Sequence, residues 1–150
     1  MSNPLISIVT PCYNEELNVE EVYKQVSAVT KTLTDYEFEH IFIDNDSTDN
    51  TVNILREMAS KHSDIKVIIN ERNFGHLRSP FHGMLQGKGE AVILFVCDLQ
   101  DPPSMIKDFL DTWKKGTPLV VGVKTSSSEN LLMYQLRTFY YNLLNRLSDV

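Results

Sequence analysis

Leu5-Ile6-Ser7-Ile8-Val9-Thr10 leads into Pro11-Cys12-Tyr13-Asn14-Glu15, and apolar residues follow at Val19, Val22, Val26, Val29 and Leu33. The first run, β-branched and almost continuously apolar, is the pattern of a strand covered on both faces. The third-and-fourth spacing after it is one face of a helix. Between them lies a polar turn in which Asn14 is expected to cap the helix, with Glu15 and Glu16 at the positive end of its dipole.

The same strand–turn–helix unit recurs along the chain. Phe38 to Asp44, Ile65 to Ile69, Ala91 to Cys97 and Leu119 to Val123 read as further strands. Val52, Leu55, Met58 and Ala59 mark a second helix after Ser47-Thr48-Asp49, and a less regular helix fills His76 to Gln86. Pro102-Pro103 introduces another, carrying Ile106, Phe109, Leu110 and Trp113 and stopped by Gly116. This alternation predicts an α/β domain: a Rossmann-like, open, mostly parallel sheet with helices on both faces.

Domain boundaries follow from composition. Residues 1–125 form the expected α/β body. Residues 126–150 hold the rest of a polar linker, Thr125-Ser126-Ser127-Ser128, and a C-terminal amphipathic helix from Asn130 to Leu147. Leu132, Leu136, Phe139, Tyr140, Leu143 and Leu147 line one face of that helix, flanked by Arg137 and Arg146. Two readings stay open for it: packing on the body or on a second copy in a homo-oligomer, and lying in a membrane interface.

Charge narrows the function. The 150 residues carry a net charge of −6, with 42% hydrophobic and 23% charged residues. A nucleic-acid partner is not expected, because phosphate neutralisation needs a basic face. Met1-Ser2-Asn3-Pro4 lacks a charged leader followed by a long apolar stretch, so no secretory signal is expected. The longest apolar run, Ala91 to Cys97, is far short of the roughly 20 residues that span a bilayer. Cys12 and Cys97 suit a reducing compartment.

In a doubly wound sheet, ligands sit beyond the carboxyl ends of the strands. Chemistry-bearing residues collect there: Pro11 to Glu15, Asp44 to Asp49, Glu71 to His76, Asp98 to Pro102, and Lys124. Asp98 and Gln100 offer the oxygen ligands that Mg²⁺ and Mn²⁺ prefer, and such ions bridge diphosphate oxygens. Asp98 also fits as a helix cap, and Asp101, directly before Pro102, fits that role better. Tyr13 is placed to stack on a base or ribose, Asp44 or Asn45 to meet a base edge, and Arg72 to face phosphates. Each has a plainer alternative as a turn or packing residue. Neither a Walker loop nor a G-x-G-x-x-G fingerprint is present, which argues against NTP hydrolysis and dinucleotide binding.

Pro11-Cys12-Tyr13-Asn14-Glu15-Glu16, Asp44-x-x-Ser47-Thr48-Asp49, Arg72-Asn73-Phe74-Gly75-His76 and Asp98-Leu99-Gln100-Asp101-Pro102-Pro103 together resemble family-2 glycosyltransferases of GT-A fold. Within these, the pattern is similar to polyprenyl-phosphate sugar transferases of the dolichyl-phosphate mannose synthase and bactoprenol glucosyltransferase type. The resemblance implies inverting transfer from a UDP- or GDP-sugar to a lipid-phosphate acceptor, with Mg²⁺ or Mn²⁺, at the cytoplasmic face of the membrane. It implies that Pro11, Tyr13, Glu15, Asp44 and Asn45 hold the nucleoside, that Arg72 lies near the diphosphate, and that Asp98 and Gln100 hold the metal. It also implies a longer protein, whose missing C-terminal part holds the acceptor and the membrane anchor, this chain being its soluble donor-binding fragment. A saccharide-hydroxyl acceptor and a degenerate sugar-nucleotide-binding module are the alternatives.

Three stretches depart from the family pattern. Val96 stands where an acidic residue precedes Cys97-Asp98, and Asn45-Asp46 replaces an Asp-Gly pair. Leu77-Arg78-Ser79-Pro80-Phe81-His82 replaces a small, Ala-rich run. An amide at position 45 is expected to recognise a base more weakly than a carboxylate does.

Overall fold

A computed structural model describes residues 3–123 and 131–147. Four strands, β1 (Leu5–Cys12), β2 (Glu37–Asp44), β3 (Ile65–Ile69) and β4 (Ala91–Leu94), form one sheet in the order β3-β2-β1-β4. Every pairing is parallel, with Cys12 opposite Asp44 and Val9 opposite Leu94. The doubly wound α/β expectation therefore holds, and the strand order reverses between β1 and β4.

Side-chain alternation along the strands builds two apolar layers. Ile6, Ile8 and Phe42 face the layer supplied by α1 (Val19–Thr30), α2 (Thr51–Lys61) and α4 (Met105–Trp113), through Val22, Val26, Leu55, Ile106 and Leu110. Val9, Ile41 and Ile43 face the other way, toward α3 (Gly75–Leu85). Truncating a fully buried residue such as Phe42 or Leu55 to alanine is expected to cost about 2–5 kcal/mol.

The body comprises residues 1–118, and residues 119–150 form a second compact unit. Two expectations are corrected here. Leu119 to Val123 is not a strand: Leu119, Val121 and Val123 are 78%, 70% and 78% exposed, and the run joins no ladder among the described residues. Without a neighbouring strand to bond, an apolar run has no reason to stay pleated. Helix α1 begins at Val19 rather than beside Asn14, whose φ of 56° takes it out of the helical region. In the second unit, α5 (Leu131–Leu147) matches the expected C-terminal helix and exposes Tyr134, Leu136, Phe139 and Tyr140. The linker residues 125–128 lie outside the described residues. Among the described residues, no helix is long and apolar enough to cross a membrane.

Candidate functional site

The turns after β1 and β2 hold one another. Asn14 donates its backbone N–H to Ser47 Oγ at 2.9 Å and accepts the Thr48 N–H on Oδ1 at 2.8 Å. Glu15 donates its N–H to Thr51 Oγ1 at 2.8 Å, and Thr51 in turn donates that hydroxyl to Asp49 Oδ1 at 2.6 Å. Glu16 closes the clasp by accepting the Asn50 N–H at 2.8 Å. Asp49 is held below its usual carboxyl pKa: desolvation pushes it up, and the hydrogen bonds from Thr51 and the Glu16 N–H together outweigh that. Asn14, expected as a helix cap, instead locks the two loops together.

This clasp fixes a cleft of about 700 Å³ over the ends of β1 and β4, at the switch in strand order. Pro11, Tyr13, Glu15 and Asn45 line one side, Leu94, Val96 and Asp98 the other, and α3 closes it with Leu77 and Phe81. Tyr13 is 48% exposed, so its ring is available for stacking. Glu15 is part-buried and accepts the Asn18 side-chain amide at 2.6 Å.

Asn45 is the hub of an amide network that sequence reading missed. Its Oδ1 accepts the Phe74 N–H at 2.9 Å and the Asn70 amide at 3.2 Å, and its Nδ2 donates to Asn73 Oδ1 at 3.0 Å. Asn70 also donates to Ser79 Oγ at 2.9 Å, and Asn73 Oδ1 also accepts the Gly75 N–H at 2.8 Å. Asn45 thus ties the end of β2 to the loop before α3 while also lining the cleft.

Asp44 is fully buried and outside the cleft lining. One carboxylate oxygen accepts the Ser47 N–H at 2.9 Å, and the other is buried without a hydrogen-bond partner. Arg72 also stands outside the lining, its guanidinium stacked 4.8 Å from the Phe74 ring. Cys12 and Cys97 are free and buried. The Cys12 thiol is pushed well above its usual pKa, first by its hydrogen bond with Cys97, then by burial. Burial and the raised pKa both favour the protonated, unreactive thiol.

At the end of β4, Leu99 takes a φ of 55° and Asp98 Oδ1 accepts the Gln100 N–H at 3.1 Å. Asp98 is exposed and lines the cleft, whereas Gln100 is exposed outside the lining. Among the described residues, no three His, Cys, Asp or Glu side chains cluster as a ready-made metal cage. Asp98 offers a carboxylate and Gln100 a side-chain carbonyl, the kind of oxygen donors that Mg²⁺ or Mn²⁺ takes.

A parallel sheet with a cleft at its β1/β4 switch and an acidic turn after β4 is the arrangement of the GT-A fold of glycosyltransferases. The chain belongs to that class through glycosyl transferase family 2, whose family model matches residues 7–149. It is 35% identical over 145 residues to the uncharacterized glycosyltransferase YkcC of Bacillus subtilis, covering 96% of this chain and 45% of that protein. It is 32% identical over 144 residues to the bactoprenol glucosyl transferase of Shigella phage SfV, covering 95% of this chain and 47% of that one. The chain thus spans about half the length of these relatives. Among solved structures, Staphylococcus aureus TarS 1–349 in complex with UDP aligns with a TM-score of 0.62 at 24% identity, over 83% of this chain and 38% of that one. A mannosyltransferase from Pyrobaculum calidifontis in complex with GDP-Man and Mn²⁺ aligns at 0.56 and 22%, over 65% and 28%. These two likenesses speak for the fold.

Proposed function

We propose that this chain is the donor-binding domain of an inverting glycosyltransferase that moves a sugar from a UDP- or GDP-sugar to a polyprenyl phosphate. The cleft at the β1/β4 switch carries the reading: a stackable Tyr13 and a polar Glu15–Asn45 edge stand across from the carboxylate of Asp98. That arrangement suits a nucleoside on the β1 side and a diphosphate reaching toward Asp98. Similarity to a bactoprenol glucosyl transferase supports a lipid-phosphate acceptor. Residues 1–125 would bind the donor, and 126–150 would lead toward an acceptor-binding part at the cytoplasmic face of a membrane.

Asp98, with Gln100 beside it, would hold Mg²⁺ or Mn²⁺, which supplies positive charge to the departing nucleoside diphosphate. Arg72 would add a second positive charge once a ligand draws it from the Phe74 ring. A phosphate acceptor is largely ionised near neutral pH, so it asks less of a general base than a sugar hydroxyl does. The fixed β1–β2 clasp orients the donor before the acceptor arrives.

Calorimetry with UDP and GDP, with and without Mn²⁺, tests the reading. Binding is expected to strengthen with the cation, and Asp98→Ala is expected to remove most of that gain, about 1–3 kcal/mol. Equal affinities in EDTA and in Mn²⁺ would sink the metal assignment, and no binding of either nucleotide would leave a degenerate module.

A further inference from the structure

We infer that the outward face of α3 is a docking surface for an anionic lipid bilayer. The inward face is committed to the sheet: Ser79 and Gly83 are buried, and a Cβ built on Gly83 would stand 2.9 Å from Ile43 and Val9 carbons. On the opposite side, Leu77, Phe81 and Leu85 are 73%, 60% and 66% exposed. Their spacing of four makes them one continuous apolar ridge. Arg78 and His82, each one residue on and also exposed, make a basic ridge beside it.

Charge selects the occupant. From Arg72 to Lys88 the sequence holds no Asp or Glu, although the whole chain carries −6. Arg72, Arg78 and Lys88 therefore make this stretch a local exception in an acidic protein. A purely apolar partner would leave the basic ridge unmatched, and a second copy would bring like charges together across a two-fold contact. An anionic bilayer matches both ridges, apolar side chains entering the acyl boundary and cations meeting headgroups. Leu77 and Phe81 also line the cleft, so docking would bring its mouth to the lipid surface. The inference stands apart from the donor and metal assignments.

Vesicle flotation of the 150-residue chain tests it without nucleotide, using phosphatidylcholine vesicles with and without phosphatidylglycerol. Binding is expected to the mixed vesicles only, and to weaken with salt. Arg78→Glu and Leu85→Glu lie outside the cleft lining and change exposed side chains, so an unchanged urea midpoint verifies their fold. Together they are expected to weaken partitioning at least about tenfold. Equal binding to both vesicle types, no binding at low salt, or full binding by the double variant would overturn the proposal. So would a dimer in sedimentation that the double variant dissolves, which would assign the face to a second copy.

Discussion

Asn45 Oδ1 accepts the backbone N–H of Phe74 at 2.9 Å, so one side-chain amide fastens the end of β2 to the loop that starts α3. The Phe74 N–H can only donate, which fixes the amide with its oxygen toward that loop and its nitrogen toward Asn73. The Gly75 N–H fixes the Asn73 oxygen in the same way.

Asn45→Asp is therefore expected to destabilise the body. It would set a carboxylate oxygen opposite Asn73 Oδ1, and turning Asn73 over would strand the Gly75 N–H. The expected loss is about 0.5–1.5 kcal/mol, the net worth of one hydrogen bond, since water reaches the exposed Asn73. Urea denaturation measures it. A variant as stable as the parent, binding UDP or GDP more tightly, would instead return Asn45 to the base-reading role that an aspartate would fill.

Gly83→Ala tests how closely α3 rests on the sheet. Alanine is the better helix former by about 0.5–1 kcal/mol. Its Cβ, however, would meet Ile43 and Val9 at 2.9 Å, and overpacking of that kind costs about 1–3 kcal/mol. The net expectation is a lower urea midpoint and a cleft wall displaced outward, so weaker nucleotide binding. An increase in stability would show that α3 rides higher than described.

Much of this was legible because β1 and β2 are buried parallel strands, whose apolar runs need no alternation to be recognised. Val19, Val22 and Val26 marked α1 correctly, while its start was misplaced because the Glu15–Asn18 turn reads locally like a first helical turn. Leu119 to Val123 misled for a different reason: strand character depends on a partner, and a single run does not carry one. The Asn45–Asn70–Asn73–Ser79 network left no local trace, since Asn45 meets its partners 25 to 29 residues further along the chain. Asp98 drew notice because it follows an apolar run that the sequence carries to Cys97, although β4 ends at Leu94, whereas the stacking of Arg72 on Phe74 left no mark in the sequence.

The two cysteines give a probe of the cleft floor. Cys12 Sγ lies 3.6 Å from the Thr10 carbonyl oxygen, and the hydrogen bond with Cys97 and burial both hold its thiol protonated. Thiolate is the reactive form. Iodoacetamide is therefore expected to leave Cys12 unmodified in the native chain and to label it rapidly in urea. Native labelling as fast as that of the unfolded chain would show that this end of β1 opens freely.

Acid should unfold this domain through His40 well before most carboxylates titrate. His40 lies in the core, stacked 4.2 Å from the Phe42 ring, with Nε2 at 2.8 Å from Thr10 Oγ1. Burial pushes its pKa down to about 3 from the ordinary 6.5. Between those values the unfolded chain takes up a proton that the folded chain refuses, so stability falls as pH drops from about 6.5 toward 3, by at most about 1.4 kcal/mol per pH unit. Glu39 works in the same direction at lower pH. Burial alone would raise its pKa, but hydrogen bonds from Lys66, Ser7 and the Lys88 N–H outweigh that and hold it lowered. Its contribution is present above the ordinary value of 4.5 and is lost as pH falls through the folded value. Urea midpoints at roughly pH 7.5, 6.5, 5.5 and 5, which sample the upper part of the His40 window before most carboxylates titrate, measure the slope. His40→Gln keeps a hydrogen-bonding group near Thr10 but removes the titration, so the variant should start less stable and show a flatter slope across that window. An unchanged slope in His40→Gln would place the acid sensitivity elsewhere, in the carboxylates whose pKa folding lowers, such as Glu39.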